Sequence, residues 1–251
     1  MPADGRTRGR RLAALAALPL VAGLLVGCGS ESPVVPTPTG VALPDVELSD
    51  PDRNGVEYLD GPTALDAVLR SVRTATSVTM AGTFTELLEA LPGSDERPEG
   101  RTLSVTFVGT AADYSARVEV DDGTAVQTTD VRTSGATSEV TTTAASCVSS
   151  ADNAVTRFAP LLSPPTLLST LLRTGDAELT VSTGAVVEGA PGEPATVELV
   201  VGDDSSVAGT LVVSAEGEPR PLSFTAADPS GRGVFTFSRW DERASLPDLG
   251  C

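Results

Sequence analysis

From residue 77 onward the dominant pattern in this chain is alternation of apolar and polar residues. In SVTMAGTFTE, Val78, Met80 and Phe84 share one face while threonines take the other; a period of two predicts a half-buried strand. The pattern recurs in TLSVTFVGTA (Leu103, Val105, Phe107), in DYSARVEV (Tyr114, Ala116, Val118, Val120), and in TAVQTTDVRT beyond the turn Asp121-Asp122-Gly123. It resumes in ELTVS, ATVELVV, VAGTLVVSA, RPLSFTAAD and GVFTFSRW, with turns such as Glu216-Gly217 between them. Two segments change period. In GPTALDAVLRSVRTA, Leu65, Val68, Leu69 and Val72 form one helical face, Pro62 suits the first turn, and Asp60 or Gly61 can cap it. In AVTRFAPLLSPPTLLSTLLRTG, Phe158, Leu161 and Leu162 precede a double proline. Leu167, Leu168, Leu171 and Leu172 then follow at helical spacing, with Gly175 placed to end the helix. The expectation is an α+β fold of about eight to ten strands, one antiparallel sheet burying its apolar face on two helical segments.

Ahead of this domain the pattern is different again. RTRGRR leads into a small and apolar run, Leu12 to Gly27, of 16 residues, interrupted by Pro19 and ending at Cys28. A bilayer span takes about 20 residues, so the run reads as an export signal. Leu25-Val26-Gly27-Cys28 resembles the bacterial lipobox, which implies a diacylglycerol on the Cys28 sulfur and cleavage just before it. Each buried CH₂ contributes about 0.8 kcal/mol, and two or more chains anchor stably where one does not. Residues 29–51 carry five prolines, which favour an extended, unpaired tether. The expected organisation is residues 1–27 as signal peptide, 28–57 as acylated N-terminus and tether, and 58–251 as the sheet domain.

Composition then removes whole classes of chemistry. The chain has no His and three Cys, and its 17 basic residues are all Arg against 34 acidic ones, a formal charge of −17. Ser-His-Asp and Cys-His mechanisms need a histidine, as do zinc sites with imidazole ligands. No CxxC occurs, and no phosphate loop ending in Gly-Lys. A surface this acidic repels nucleic-acid backbones, and repels anionic lipid heads unless something tethers it. The carboxylate pairs Asp121/Asp122 and Asp203/Asp204 fall in turns, where solvated carboxylates are expected. Asp50, Asp52, Asn54 and Gly55 mimic the first half of a calcium loop, but Gly61 stands where its bidentate Glu belongs. No catalytic residue, no metal site and no cofactor is expected.

The helix leading into SVTMAGTFTE, the mid-chain L-x-P-x-x-LL-x-x-LL segment and the final FTFSRWDERASLP together resemble the LolA-like lipoproteins of mycobacteria, the LppX/LprG type. The last-strand features of that family match Phe237, Ser238, Trp240 and Pro247. The resemblance spans roughly Val56 to Pro247. It implies a half-barrel sheet wrapped over helices, with an apolar cavity between them for the acyl chains of envelope lipids, which some members carry outward.

The candidate residues follow. Cys28 is the lipidation site, placing the protein on the extracytoplasmic face of the cell membrane. Cys147 and Cys251, an even pair in an exported chain, are candidates for a disulfide. Met80, Phe84, Phe107, Leu161, Leu162, Leu168 and Leu172 are candidates to line a lipid cavity, although core and cavity walls use the same side chains. Trp240 reads as core or as a stacking surface. Two functions stay open. One is a membrane-anchored lipoprotein binding an acylated lipid or glycolipid; the other is a non-catalytic envelope module of the same fold, with a filled core, that binds a protein partner.

Overall fold

The computed structural model describes residues 52–251, apart from 91, 94–95, 145–147, 150–152, 174–175, 177, 204–205 and 229–230. Cys28, the tether to residue 51 and Cys147 lie outside the described residues. A 3₁₀ turn at Val56–Tyr58 leads into α1 (Gly61–Thr74). Six strands follow: β1 (Val78–Leu87), β2 (Glu99–Gly109), β3 (Asp113–Asp121), β4 (Val126–Ser134), β5 (Thr137–Thr142) and β6 (Val148–Ser149). Helices α2 (Asn153–Phe158) and α3 (Pro164–Leu171) come next. The chain finishes with β7 (Thr180–Val187), β8 (Thr196–Gly202), β9 (Val207–Ser214), β10 (Pro221–Asp228) and β11 (Gly231–Ser238).

Among the described residues these are eleven strands of a single sheet, ordered β6-β5-β4-β3-β2-β1-β11-β10-β9-β8-β7. Every neighbouring pair is antiparallel. The topology is two meanders whose ends meet in the middle, where β1 pairs with β11 and Gly82 lies opposite Phe235. The connection from β6 to β7 therefore links opposite edges of the sheet, which ten spacings of about 4.8 Å would set about 48 Å apart if flat. Helix α3 lies on that route, and burying it on the sheet is what the crossover requires. The expected half-barrel on helical segments is what the protein forms. The strand count exceeds the expected range because β5 and β6 are rich in Thr and Ser, so their alternation is weak in the sequence.

The inner face is built by the positions that alternation singled out. Met80, Phe107, Val118 and Val131 on β1 to β4, and Phe224, Phe235 and Leu211 on the other half, are all at most 1 % exposed. Gly82 is needed among them. A Cβ there would sit 2.3 Å from the Phe235 ring, so the missing side chain lets that ring lie flat on β1. On α1, Leu65, Val68, Leu69 and Val72 are buried as their spacing demands, and Ser71 turns its hydroxyl to the Val68 and Pro219 carbonyls. Helix α3 starts where the double proline dictates, with Pro164 and Pro165 in its first turn. It ends at Leu171, with Leu172 as its C-cap.

Carboxylates secure the ends. The Asp60 side chain caps α1, accepting the Thr63 amide at 3.1 Å and its hydroxyl at 2.8 Å. Those two hydrogen bonds hold its carboxyl below the usual range. Asp241 follows β11 and is pushed up by burial, but the Thr76 amide and hydroxyl and the Arg220 guanidinium outweigh that and leave it lowered. Trp240 is half-buried, donates to the Pro221 carbonyl at 2.9 Å, stacks on Phe237 and lies beneath Arg220. It is a fastener of the last strand. Carboxyls with depressed folded values stabilise fully above their unfolded values near 4, and lose that stability as pH falls through the folded ones. The melting temperature is therefore expected to hold from neutral pH to about 5 and to fall below about 4. Asp60→Asn should soften that fall, as thermal scans against pH would show; an unchanged acid limb would contradict the capping role.

Candidate functional site

An apolar pocket lies toward the β7 edge of the sheet, not at its centre. Its volume is about 490 Å³, within the range of small-molecule sites. Three pieces of chain wall it: the start of α1 (Pro62, Leu65, Asp66), the turn after α3 (Leu172, Arg173, Asp176, Leu179), and strands β7 and β8 (Thr180, Val181, Val201). Leu65, Leu172 and Val201 are buried and make the floor, whereas Asp66, Arg173 and Thr180 are exposed and make the rim.

Each wall has a local cause. Gly61 opens α1 because its backbone meets β7 directly: a Cβ there would sit 1.9 Å from the Val181 carbonyl oxygen. That contact seats Pro62 and Leu65 beside Val181. Leu172 reaches the floor from the end of α3, its Cδ2 within 3.3 Å of the Cβ position at Gly209. Beyond it Arg173 adopts φ 49°, a left-handed conformation where Gly or Asn is usual after a helix. Its guanidinium donates to Asp176 at 2.5 Å, and the Asp176 carboxylate also accepts the Glu178 amide at 3.0 Å. The Glu178 amide and Arg173 together keep that carboxyl below its usual range.

The residues singled out from sequence are divided among three places. Leu172 lines the pocket. Met80, Phe107, Leu162 and Leu168 are buried within the hydrophobic core, and Phe107 stacks on Tyr114 with centroids 5.1 Å apart. Phe84 and Leu161 are half-buried at its margin, and the Phe84 ring lies over Gly231 and Gly233. Met80 and Phe107 pair directly across β1 and β2, but the pocket is not built from them. Pro62, Val181, Leu179 and Val201 were not singled out, since nothing local in ELTVS or ATVELVV marks which strand ends up on an edge.

Asp122 and Asp203 sit in turns, as expected, whereas Asp121 ends β3 and Asp204 lies outside the described residues. Asp122 accepts the amides of Thr124 and Ala125, and Asp203 accepts that of Ser206. Asn54 docks its amide and side chain on Ala215 and Ser214, a structural role. No cluster of three metal-ligating side chains occurs among the described residues, and no helix among them is long and apolar enough to cross a membrane.

The chain is similar in fold to two mycobacterial proteins of known structure. LprF from Mycobacterium bovis shares 13 % identity over 76 % of this chain and 98 % of its own, with a TM-score of 0.45. Lipoprotein LppX from Mycobacterium tuberculosis shares 16 % over 73 % of this chain and 96 % of its own, with a TM-score of 0.40. No protein-family model and no curated protein matches it.

Proposed function

We propose that this chain is an envelope lipoprotein, held on the extracytoplasmic face of the cell membrane by an acylated Cys28, whose domain binds an acylated lipid in the pocket between α1, the turn after α3, and β7. The observation that carries the reading is that pocket: about 490 Å³, with a buried aliphatic floor and a polar rim. Affinity would come from burying apolar surface, at roughly 25 cal/mol per Å², with no covalent step. The test is native mass spectrometry of the full chain carrying Cys28→Ala, purified without detergent. A bound mass that organic extraction releases as lipid supports the reading, and a bare polypeptide mass counts against it.

A second reading has its own support. Met80, Phe107, Leu167, Leu168, Phe224 and Phe235 are all at most 1 % exposed, as in a filled core. A module of this kind would use its acidic surface to bind a protein partner and would yield no lipid in the same experiment.

Two further results are expected of the exported protein. The wild-type chain should partition into the detergent phase, and Cys28→Ala should be released or mislocalised; an unmodified, freely secreted wild type would refute the anchor. Cys147 and Cys251 should be bridged, so that thiol reagents fail to label the folded chain without reductant. A bridge across so long a loop contributes up to about 4–5 kcal/mol in the chain-entropy account, and stoichiometric labelling of both would exclude it.

A further inference from the structure

The rim of the pocket separates one kind of lipid head from another. Burial orients any amphiphile in it, tail on the floor of Leu65, Leu172 and Val201 and head at the exposed rim of Asp66, Arg173 and Thr180. The volume, in the lower half of the usual range for small-molecule sites, suits one chain rather than several. Among the lining residues the rim holds two carboxylates, Asp66 and Asp176, and one cation, Arg173. That cation is already paired. Its guanidinium is directed onto Asp176 at 2.5 Å, from a backbone conformation with φ 49° that an Arg adopts only at a cost. Asp176 is further fixed by the Glu178 amide and stays ionised through the neutral range. An anionic head would thus meet the Asp66 carboxylate and a guanidinium whose charge Asp176 already neutralises, on a chain of net charge −17. A hydroxyl or ammonium head instead finds acceptors.

We infer that the pocket selects a single-chain amphiphile whose head donates hydrogen bonds and carries no negative charge, and rejects fatty acids and lipid phosphates of the same length. The inference rests on the lipid-binding reading above. Its test compares three probes with one 14-carbon chain, monomyristoylglycerol, tetradecylamine and myristate, titrated by native mass spectrometry into the delipidated full chain carrying Cys28→Ala. The glycerol ester and the amine are expected to bind, with myristate at least tenfold weaker. Asp176→Asn, which removes one carboxylate and frees Arg173, should narrow that gap at least fivefold. Leu172→Trp should weaken whichever probes bind. If myristate binds as tightly as the others while Leu172→Trp weakens all three, the pocket stands and the head rule is overturned. An unchanged gap in Asp176→Asn overturns it as well. If none of the probes binds, or Leu172→Trp leaves binding untouched, it is the lipid-binding reading that fails.

Discussion

Replacing Leu172 by Trp is expected to abolish lipid retention while lowering the melting temperature little, whereas the same change at Leu168 should do the opposite. The two leucines are one helical turn apart and both are at most 1 % exposed, so burial alone does not separate them. What separates them is the neighbouring space. Leu172 lines the 490 Å³ pocket, and a larger ring placed there fills volume that a ligand would otherwise occupy. Both leucines belong to the buried core, but Leu168 is not among the pocket's walls. Inserting an indole into a close-packed interior forces off-rotamer side chains and costs typically about 1–3 kcal/mol. For a domain of this size each kcal/mol lowers the melting temperature by roughly 2–4 °C. Thermal scans of the delipidated proteins, paired with lipid extraction of the native ones, give both readouts. Equal thermal losses with unchanged lipid content would show that Leu172 serves the core alone and that the pocket carries nothing.

Gly61→Ala is expected to destabilise the domain by about 1–3 kcal/mol, the usual cost of overpacking, and to reduce lipid retention with it. Judged as a helix residue the change should help, since Ala exceeds Gly in helix propensity by about 1 kcal/mol. Tertiary contact reverses the sign. The added Cβ would lie 1.9 Å from the Val181 oxygen and 2.4 Å from its carbonyl carbon. Those are backbone atoms of β7, which no rotamer change can move aside. The start of α1 must lift from the strand, and Pro62 and Leu65 move with it away from the pocket they line. Denaturant unfolding reads the first effect and mass spectrometry the second. A wild-type midpoint would mean that α1 and β7 do not meet this closely in solution.

Much of this architecture is legible in one dimension, because its signals are local. The face of Leu65, Val68, Leu69 and Val72 defines α1, the pair Pro164-Pro165 sets the start of α3, and a period of two picks out Met80, Phe107 and Phe235 as inward-facing. Proline geometry and periodicity act within a few residues, so sequence carries them intact. The expected export signal ending at Cys28 rests on equally local signals. The strand neighbours are another matter. Alternation tells which face a residue takes but not which strand lies beside it, so the meeting of β1 with β11 and the placing of β7 on an edge are decided only when the chain closes. The pocket depends on that closure, since its walls lie more than 130 residues apart in the chain, from Pro62 to Val201. Leu168 and Leu172 have the same chemistry and neighbouring places on one helix; only the tertiary structure, by leaving space beside one and filling it beside the other, gives them different work.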